Sequence, residues 1–237
     1  MEDRDFFVLK NLKLRNRDAL FKINTDGILL AAWVNLLSAS DILEIGTGTG
    51  VIAAILAKKN PEASILAIDI DEDTIQEARL NMSLNNITSV DCQLLPFQAL
   101  IEQGIDRFDH IVSNPPYYES HSSPKKQGLK VAKHNAELKH EDIVAGASKL
   151  LRDTGSLSVI LPIGASYHFE NLAGQIGLKM ARELLVSGRK DKPPIRRLMT
   201  LTRHEITNCV TEEIYMFEDA NRTKSKEYQS LVGEYYL

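Results

Sequence analysis

The sequence predicts an α/β protein built on a doubly wound, mainly parallel sheet of seven strands with helices on both faces. Three observations carry this. From Asp41 onward, short apolar runs alternate with helical patterns. The runs are almost continuously apolar, as strands covered on both faces must be. The 237 residues, 43% hydrophobic and 25% charged, suffice for one domain with a sizeable core.

Each element has its own signal. Phe6–Leu14 and Ala19–Ile23 read as a small hairpin, and Asp26–Leu37 as a helix with Thr25 as its N-cap. Residues 1–40 thus form an extension expected to pack on a core of residues 41–237. Within that core, the runs at Asp41–Gly46, Ser64–Asp69, Val90–Leu95, Phe108–Ser113 and Gly155–Leu161 are predicted strands. Val51–Lys59, Glu72–Asn85, Asp142–Leu151 and Ser166–Ile176 have helical periodicity. Two further strands, Leu178–Val186 and Arg196–Ile206, are expected to close the sheet as an antiparallel hairpin over Pro193-Pro194. Ser225–Gly233 reads as a short helix. The longest stretch without periodicity, Asn114 to about Lys139, is predicted to be a functional loop.

Composition excludes several classes. The formal charge of −4 is not that of a uniformly basic coat on nucleic acid. The apolar run Ile28–Val34 is far short of a membrane span. No basic and apolar leader follows Met1, so a cytoplasmic, membrane-free protein is expected. Cys92 and Cys209 have no metal-ligand spacing, and neither a metal nor a disulfide is expected. Trp33 is expected to pack the first helix onto the sheet, and His110 to pack in the fourth core strand.

Two motifs carry chemistry. Glu44-Ile45-Gly46-Thr47-Gly48-Thr49-Gly50 joins a predicted strand to a predicted helix. Glycines allow a tight turn and close backbone approach to a ligand. The dinucleotide fingerprint would need a glycine where Val51 stands, so the spacing speaks against a nicotinamide cofactor. Glu44, two residues before the first glycine, favours a cationic ligand group such as an amino-acid moiety. Asp69, at the tip of the second core strand, stands where an acid takes hydrogen bonds from ribose hydroxyls, and is preferred there over Asp71.

The second motif, Asn114-Pro115-Pro116-Tyr117, ends the fourth core strand. Two prolines fix the backbone and remove two donors, leaving bare carbonyls beside the Asn114 amide. The Asn114 oxygen and the Pro115 carbonyl can each accept one N–H of a planar amine, and Tyr117 can stack on its ring. A nucleobase amine is a poor nucleophile because its lone pair is delocalised. Two acceptors favour a more tetrahedral nitrogen, with the lone pair free to attack an activated methyl group.

Together these residues resemble class I S-adenosylmethionine-dependent N-methyltransferases with the NPPY motif. More narrowly, the chain resembles the bacterial tRNA (adenine-N6)-methyltransferases that modify valine tRNA beside the anticodon, at position 37. The stretches that carry the resemblance are Phe21–Trp33, Asp41–Gly50, Ala67–Asn81, Phe108–Tyr118 and Gly233–Leu237. It implies a Rossmann-like methyltransferase fold, S-adenosyl-L-methionine as cofactor, tRNA as substrate and no stable protein partner. It also implies that Glu44, Gly46, Gly48 and Gly50 line the methionine side of the cofactor and that Asp69 holds the ribose. By the same resemblance, Asn114, Pro115, Pro116 and Tyr117 hold the target base, Asn114 also borders the cofactor, and Thr25 and Asp26 close over it. Many relatives carry an acid after the third core strand that reads the cofactor's adenine. Here the segment is Leu94-Leu95-Pro96-Phe97-Gln98, and backbone groups near Leu95 or the Gln98 side chain stand in its place.

Positive charge is concentrated in two segments. Ser122–His134 carries Lys125, Lys126, Lys130 and Lys133 with no acid. Ser187–His204 carries Arg189, Lys190, Lys192, Arg196, Arg197 and Arg203 against Asp191. Lys125, Lys126, Lys130, Lys133, Arg189, Lys190, Arg196 and Arg197 are the candidates for RNA phosphate contacts. The competing reading is glutamine-amide methylation of a release-factor protein, since that amide is also planar with two N–H donors. Only 40 residues precede Asp41, which speaks against the longer helical N-terminal domain usual there. Another RNA or DNA adenine as target, and a non-catalytic cofactor-binding scaffold, are weaker alternatives.

Overall fold

The computed structural model describes residues 5–36, 39–104, 108–116 and 138–236. A two-stranded hairpin, β1 (Phe6–Leu9) and β2 (Leu12–Arg15), is followed by helix α1 (Thr25–Trp33). The core runs β3 (Asp41–Ile45), α2 (Val51–Lys59), β4 (Ser64–Asp69), α3 (Glu72–Leu84), β5 (Val90–Leu94), α4 (Phe97–Gln103) and β6 (Phe108–Ser113). It continues through α5 (His140–Leu150), β7 (Leu151–Pro162), α6 (Ile163–Gln175), β8 (Lys179–Arg189), β9 (Pro194–Thr202), β10 (Val210–Phe217) and α7 (Lys226–Val232).

The sheet order is β10-β8-β9-β7-β6-β3-β4-β5, and β9 alone runs against its neighbours. The doubly wound, mainly parallel sheet is therefore observed, with the expected β8–β9 hairpin. It has eight strands rather than seven, because β10 adds to the edge parallel to β8. Strand alternation divides the core in two. Ile42, Val112, Ile160 and Leu198 point toward α1, α2, α3 and α7, whereas Leu43, Ile111, Val159 and Met199 point toward α4, α5 and α6.

Three sequence expectations need correcting. The hairpin closes within Phe6–Arg15, and residues 19–23 are irregular, because the two-residue turn at Lys10-Asn11 pairs the nearer run first. Helix α1 is capped by Asn24, whose Oδ1 accepts from the Gly27 N–H at 2.9 Å, and Thr25 is already helical. Helix α4 was not anticipated. Its signals are Pro96 before it and Gly104, in the left-handed region, after it.

β10 also escapes the apolar-run criterion, since Glu212 and Glu213 interrupt it. The structure shows what Glu212 does. It receives the Trp33 indole N–H at 3.2 Å and pairs with Arg182 at 2.7 Å. Arg182 in turn stacks on the Trp33 ring and donates to the Trp33 carbonyl. Lys59 Nζ donates to the carbonyls of Ala31, Ala32 and Val34. Two cations thus satisfy the open C-terminal end of α1.

Helix α3 holds the N-terminal segment with one face, on which Thr74, Glu77, Asn81 and Asn85 recur three or four residues apart. Asn85 takes the Lys13 N–H and returns a donor to the Lys13 carbonyl, each at 2.9 Å. Asn81 does the same for Arg15, at 2.6 and 3.0 Å. The two side-chain amides complete the open edge of β2 as a neighbouring strand would. Glu77 is buried and accepts the backbone N–H groups of Arg17, Asp18 and Ala19, and Thr74 Oγ1 accepts that of Leu20.

His110 is buried, as expected, between the hydroxyls of Ser156 at 2.9 Å and Ser158 at 3.0 Å. Burial brings its pKa down from 6.5 to about 4. As pH falls, the unfolded chain takes up the proton near 6.5, but the folded chain resists until about 4. Its contribution is therefore complete above the first value and lost progressively toward the second. Between these limits the wild type is expected to lose about 3 kcal/mol relative to His110→Gln. Paired denaturant titrations across pH 4–7 check this; parallel pH profiles for the two proteins would contradict it.

Candidate active site

Four loops meet at the carboxyl ends of β3, β4, β5 and β6, where open parallel sheets bind ligands. With the segment Leu20–Asn24 as a front wall, they enclose a cavity of about 380 Å³. The turn after β3 is built on positive φ at Gly46, Gly48 and Gly50, values only glycine adopts freely. Gly46 and Thr47 both donate to the Ile68 carbonyl, at 2.9 and 3.0 Å. Asp69 Oδ2 accepts the Gly48 N–H at 3.0 Å, and Oδ1 accepts those of Ile70 and Asp71. Burial raises the Asp69 pKa, opposed by these hydrogen bonds. Asp71 caps α3 through the Thr74 N–H at 2.9 Å, and both acids line the cavity.

The three glycines do different things. A Cβ on Gly46 or Gly48 would project into open space, so their bareness leaves room for a ligand. A Cβ on Gly50 would stand 2.8 Å from Met82 Cε, and Gly50 is absent from the cavity lining. Gly50→Ala is therefore expected to destabilise the fold by about 1–3 kcal/mol, chiefly through its positive φ, since the Met82 methyl is the movable end of a flexible side chain. Thermal unfolding checks this; an unchanged midpoint would refute the backbone requirement.

Glu44 also stands behind the lining rather than in it. It is buried, with Oε2 accepting the Thr47 hydroxyl at 2.8 Å and the Ala53 N–H at 2.9 Å. Its Oε1 has no hydrogen-bond partner among the described residues, and burial pushes its pKa up to about 8. A carboxylate left incomplete behind the turn suits a ligand that brings positive charge.

Asn114, Pro115 and Pro116 line the cavity, as do Asp69 and Leu95. The Leu95 N–H already donates to the Asp69 carbonyl at 2.9 Å, so Gln98, in the first turn of α4 and also in the lining, carries the spare side-chain donors and acceptor there. Thr25 and Asp26 are not in the lining. Asp26 instead pairs with Arg196 at 2.7 Å, joining two residues expected to serve cofactor and RNA separately. Arg197 is buried between Glu170 and Glu183, at 2.6 Å from each, which removes it from the RNA candidates. Its place on an inward-facing β9 position explains this.

Arg189 is held by Asp191 at the β8–β9 turn, and Lys190 is exposed there, at the same end of the sheet as the cavity. Tyr117, Lys125, Lys126, Lys130 and Lys133 lie outside the described residues. Sequence reasoning missed Asn24, Phe21 and Ile70. Phe21 and Ile70 line the cavity while 52% and 41% exposed, the pattern of an apolar wall awaiting a ligand. For Asn24 the available signal was its strong N-cap preference directly before the helical run.

Comparison with known proteins places this geometry. Residues 22–177 match the family model described as methyltransferase small domain. The chain is 34% identical to a tRNA1(Val) (adenine(37)-N6)-methyltransferase of Bacteroides thetaiotaomicron, over 98% of this chain and 97% of that protein. It is 35% identical to the protein of the same name from Trichodesmium erythraeum, with the same coverage of both chains. Among solved structures, a predicted O-methyltransferase from Agrobacterium tumefaciens superposes with a TM-score of 0.66 at 20% identity, covering 90% of this chain and 98% of that one.

Proposed function

We propose that this chain, which belongs to the family of tRNA1(Val) (adenine(37)-N6)-methyltransferases, methylates adenine N6 at position 37 of valine tRNA in the cytoplasm. Its cofactor is S-adenosyl-L-methionine, which supplies a sulfonium-activated methyl group. The single observation that carries the reading is Asn114-Pro115-Pro116 in the wall of the same cavity as Gly46, Gly48 and Asp69.

The residues present fit that cofactor. The open Gly46–Gly48 turn accommodates its amino-acid end, with Glu44 incomplete behind it. Asp69 retains one lone-pair site, on Oδ2, for a ribose hydroxyl beyond its three backbone bonds. Ile70, Leu95 and Gln98 form the place for its adenine, with Gln98 reading the edge.

Asn114 Oδ1 and the Pro115 carbonyl each accept one N–H of the target amine and hold its lone pair toward the methyl group. Pro116 fixes the turn, and Tyr117 stacks on the base. The protein's work is positioning, which by itself is worth several orders of magnitude. The adenine has to leave its stack to enter such a pocket. Arg189 and Lys190 contact RNA phosphate from the sheet end they share with the cavity, with Lys125, Lys126, Lys130 and Lys133 following Tyr117 in sequence.

Purified protein, labelled S-adenosyl-L-methionine and valine tRNA are expected to yield N6-methyladenosine at position 37, read by nucleoside mass spectrometry. Methylation of a release-factor peptide with tRNA inert would overturn the assignment.

A further inference from the structure

We infer that Asn24 is a positioning residue that fixes which way round the Asn114 amide faces; this rests on the assignment of Asn114 as acceptor for the target amine. An asparagine amide can be turned over with little change in shape, exchanging its oxygen for its NH2 group. Only one orientation serves the reaction. With the NH2 group toward the substrate, donors would face the donors of the target amine.

Asn24 supplies the asymmetry. Its own orientation is fixed, because the atom that caps α1 accepts a backbone N–H, that of Gly27 at 2.9 Å, and must be oxygen. That same Oδ1 also accepts from Asn114, whose Nδ2 stands at 3.5 Å. An oxygen there selects the NH2 group of Asn114 and turns Asn114 Oδ1 to the opposite side. Both residues line the cavity. The contact is long, as catalytic hydrogen bonds often are without substrate.

The chain of cause runs from the N-cap of a helix at the start of the protein to the polarity of its acceptor group, across 90 positions of sequence. It also assigns the capping residue a second duty. A cap made by Ser or Asp would serve the helix equally well. Ser is too short to keep the oxygen near Asn114, whereas Asp retains an acceptor at the same reach.

The test uses Asn24→Ser and Asn24→Asp in the full chain. Both are expected to keep the thermal midpoint and the affinity for S-adenosyl-L-homocysteine within about threefold, since both preserve the cap. Asn24→Ser is expected to lower kcat about tenfold with little change in KM for tRNA, the rate equivalent of one positioning hydrogen bond. Asn24→Asp is expected to retain most of kcat. A serine variant with wild-type kcat, or an aspartate variant as slow as the serine one, overturns the inference. Hydrogen exchange of the Asn114 side-chain amide, measured by NMR, is expected to quicken in Asn24→Ser and separates this idea from the functional assignment. Unchanged exchange overturns the inference, whereas a wild type that binds cofactor but leaves tRNA unmodified overturns the assignment.

Discussion

Asn114→Ala is expected to lower kcat for N6-methyladenosine formation by on the order of 10²–10³-fold, as removal of one preorganised polar group at a reacting centre does. The cofactor's amino-acid end and ribose are assigned to Gly46, Gly48 and Asp69, none of which the substitution touches. Affinity for S-adenosyl-L-homocysteine is therefore expected to stay within about threefold, because the Asn114 acceptor is spent on the target amine. The fold is expected to survive as well, since the backbone of the turn is set by Pro115 and Pro116. Calorimetric binding and single-turnover rates read these quantities separately. A variant that binds cofactor normally and methylates at the wild-type rate would remove Asn114 from the mechanism.

Glu77→Ala is expected to cost stability rather than chemistry. The buried carboxylate accepts three consecutive backbone N–H groups, from Arg17, Asp18 and Ala19. Alanine would leave those three donors without their acceptor. The loss is expected to be about 3 kcal/mol, which lowers the melting point by roughly 6–12 °C for a chain of this size. Glu77→Gln, which keeps an accepting oxygen, is expected to lose less. Because the next residues, Leu20–Asn24, line the cavity, cofactor affinity is expected to fall with the alanine substitution even though Glu77 is not in the lining. Thermal unfolding and cofactor titration check both halves; a melting point equal to wild type would show that the clamp is dispensable.

The legible part of this protein was the part governed by local pattern. The strands β3, β4 and β6 are runs of apolar residues that end in a motif, and each was placed within a residue of its observed limits. The Gly46–Gly50 turn and Asn114-Pro115-Pro116 could be assigned to strand tips because their backbone demands are written in glycine and proline. What escaped depends on partners distant in sequence. β10 is a strand because its Glu212 meets Arg182 and Trp33, an arrangement no window of ten residues contains. Arg197 read as a surface cation because its two carboxylates come from other elements, Glu170 on α6 and Glu183 on β8. Glu44 and Gly50 belong to the motif they were read in. Their side chain and packing face nonetheless turn away from the cavity, a distinction set by the twist of the turn.

The pairing of β2 with the Asn81 and Asn85 amides bears on the order in which the molecule is assembled. Residues 5–24 form their hairpin locally, yet the bonds that hold them to the rest of the molecule come from far along the chain. Leu20 waits for Thr74, 54 positions on, Lys13 for Asn85, 72 positions on, and Lys10 for Gly233, 223 positions on. On the ribosome the front wall of the cavity therefore emerges before the residues that secure it, since non-local contacts repay their closure entropy only after both ends exist. A growing chain with α3 still in the exit tunnel has the glycine turn but no wall to hold a ligand against it. Competence to bind cofactor is thus reserved for chains in which both α3 and the end of β6 have emerged.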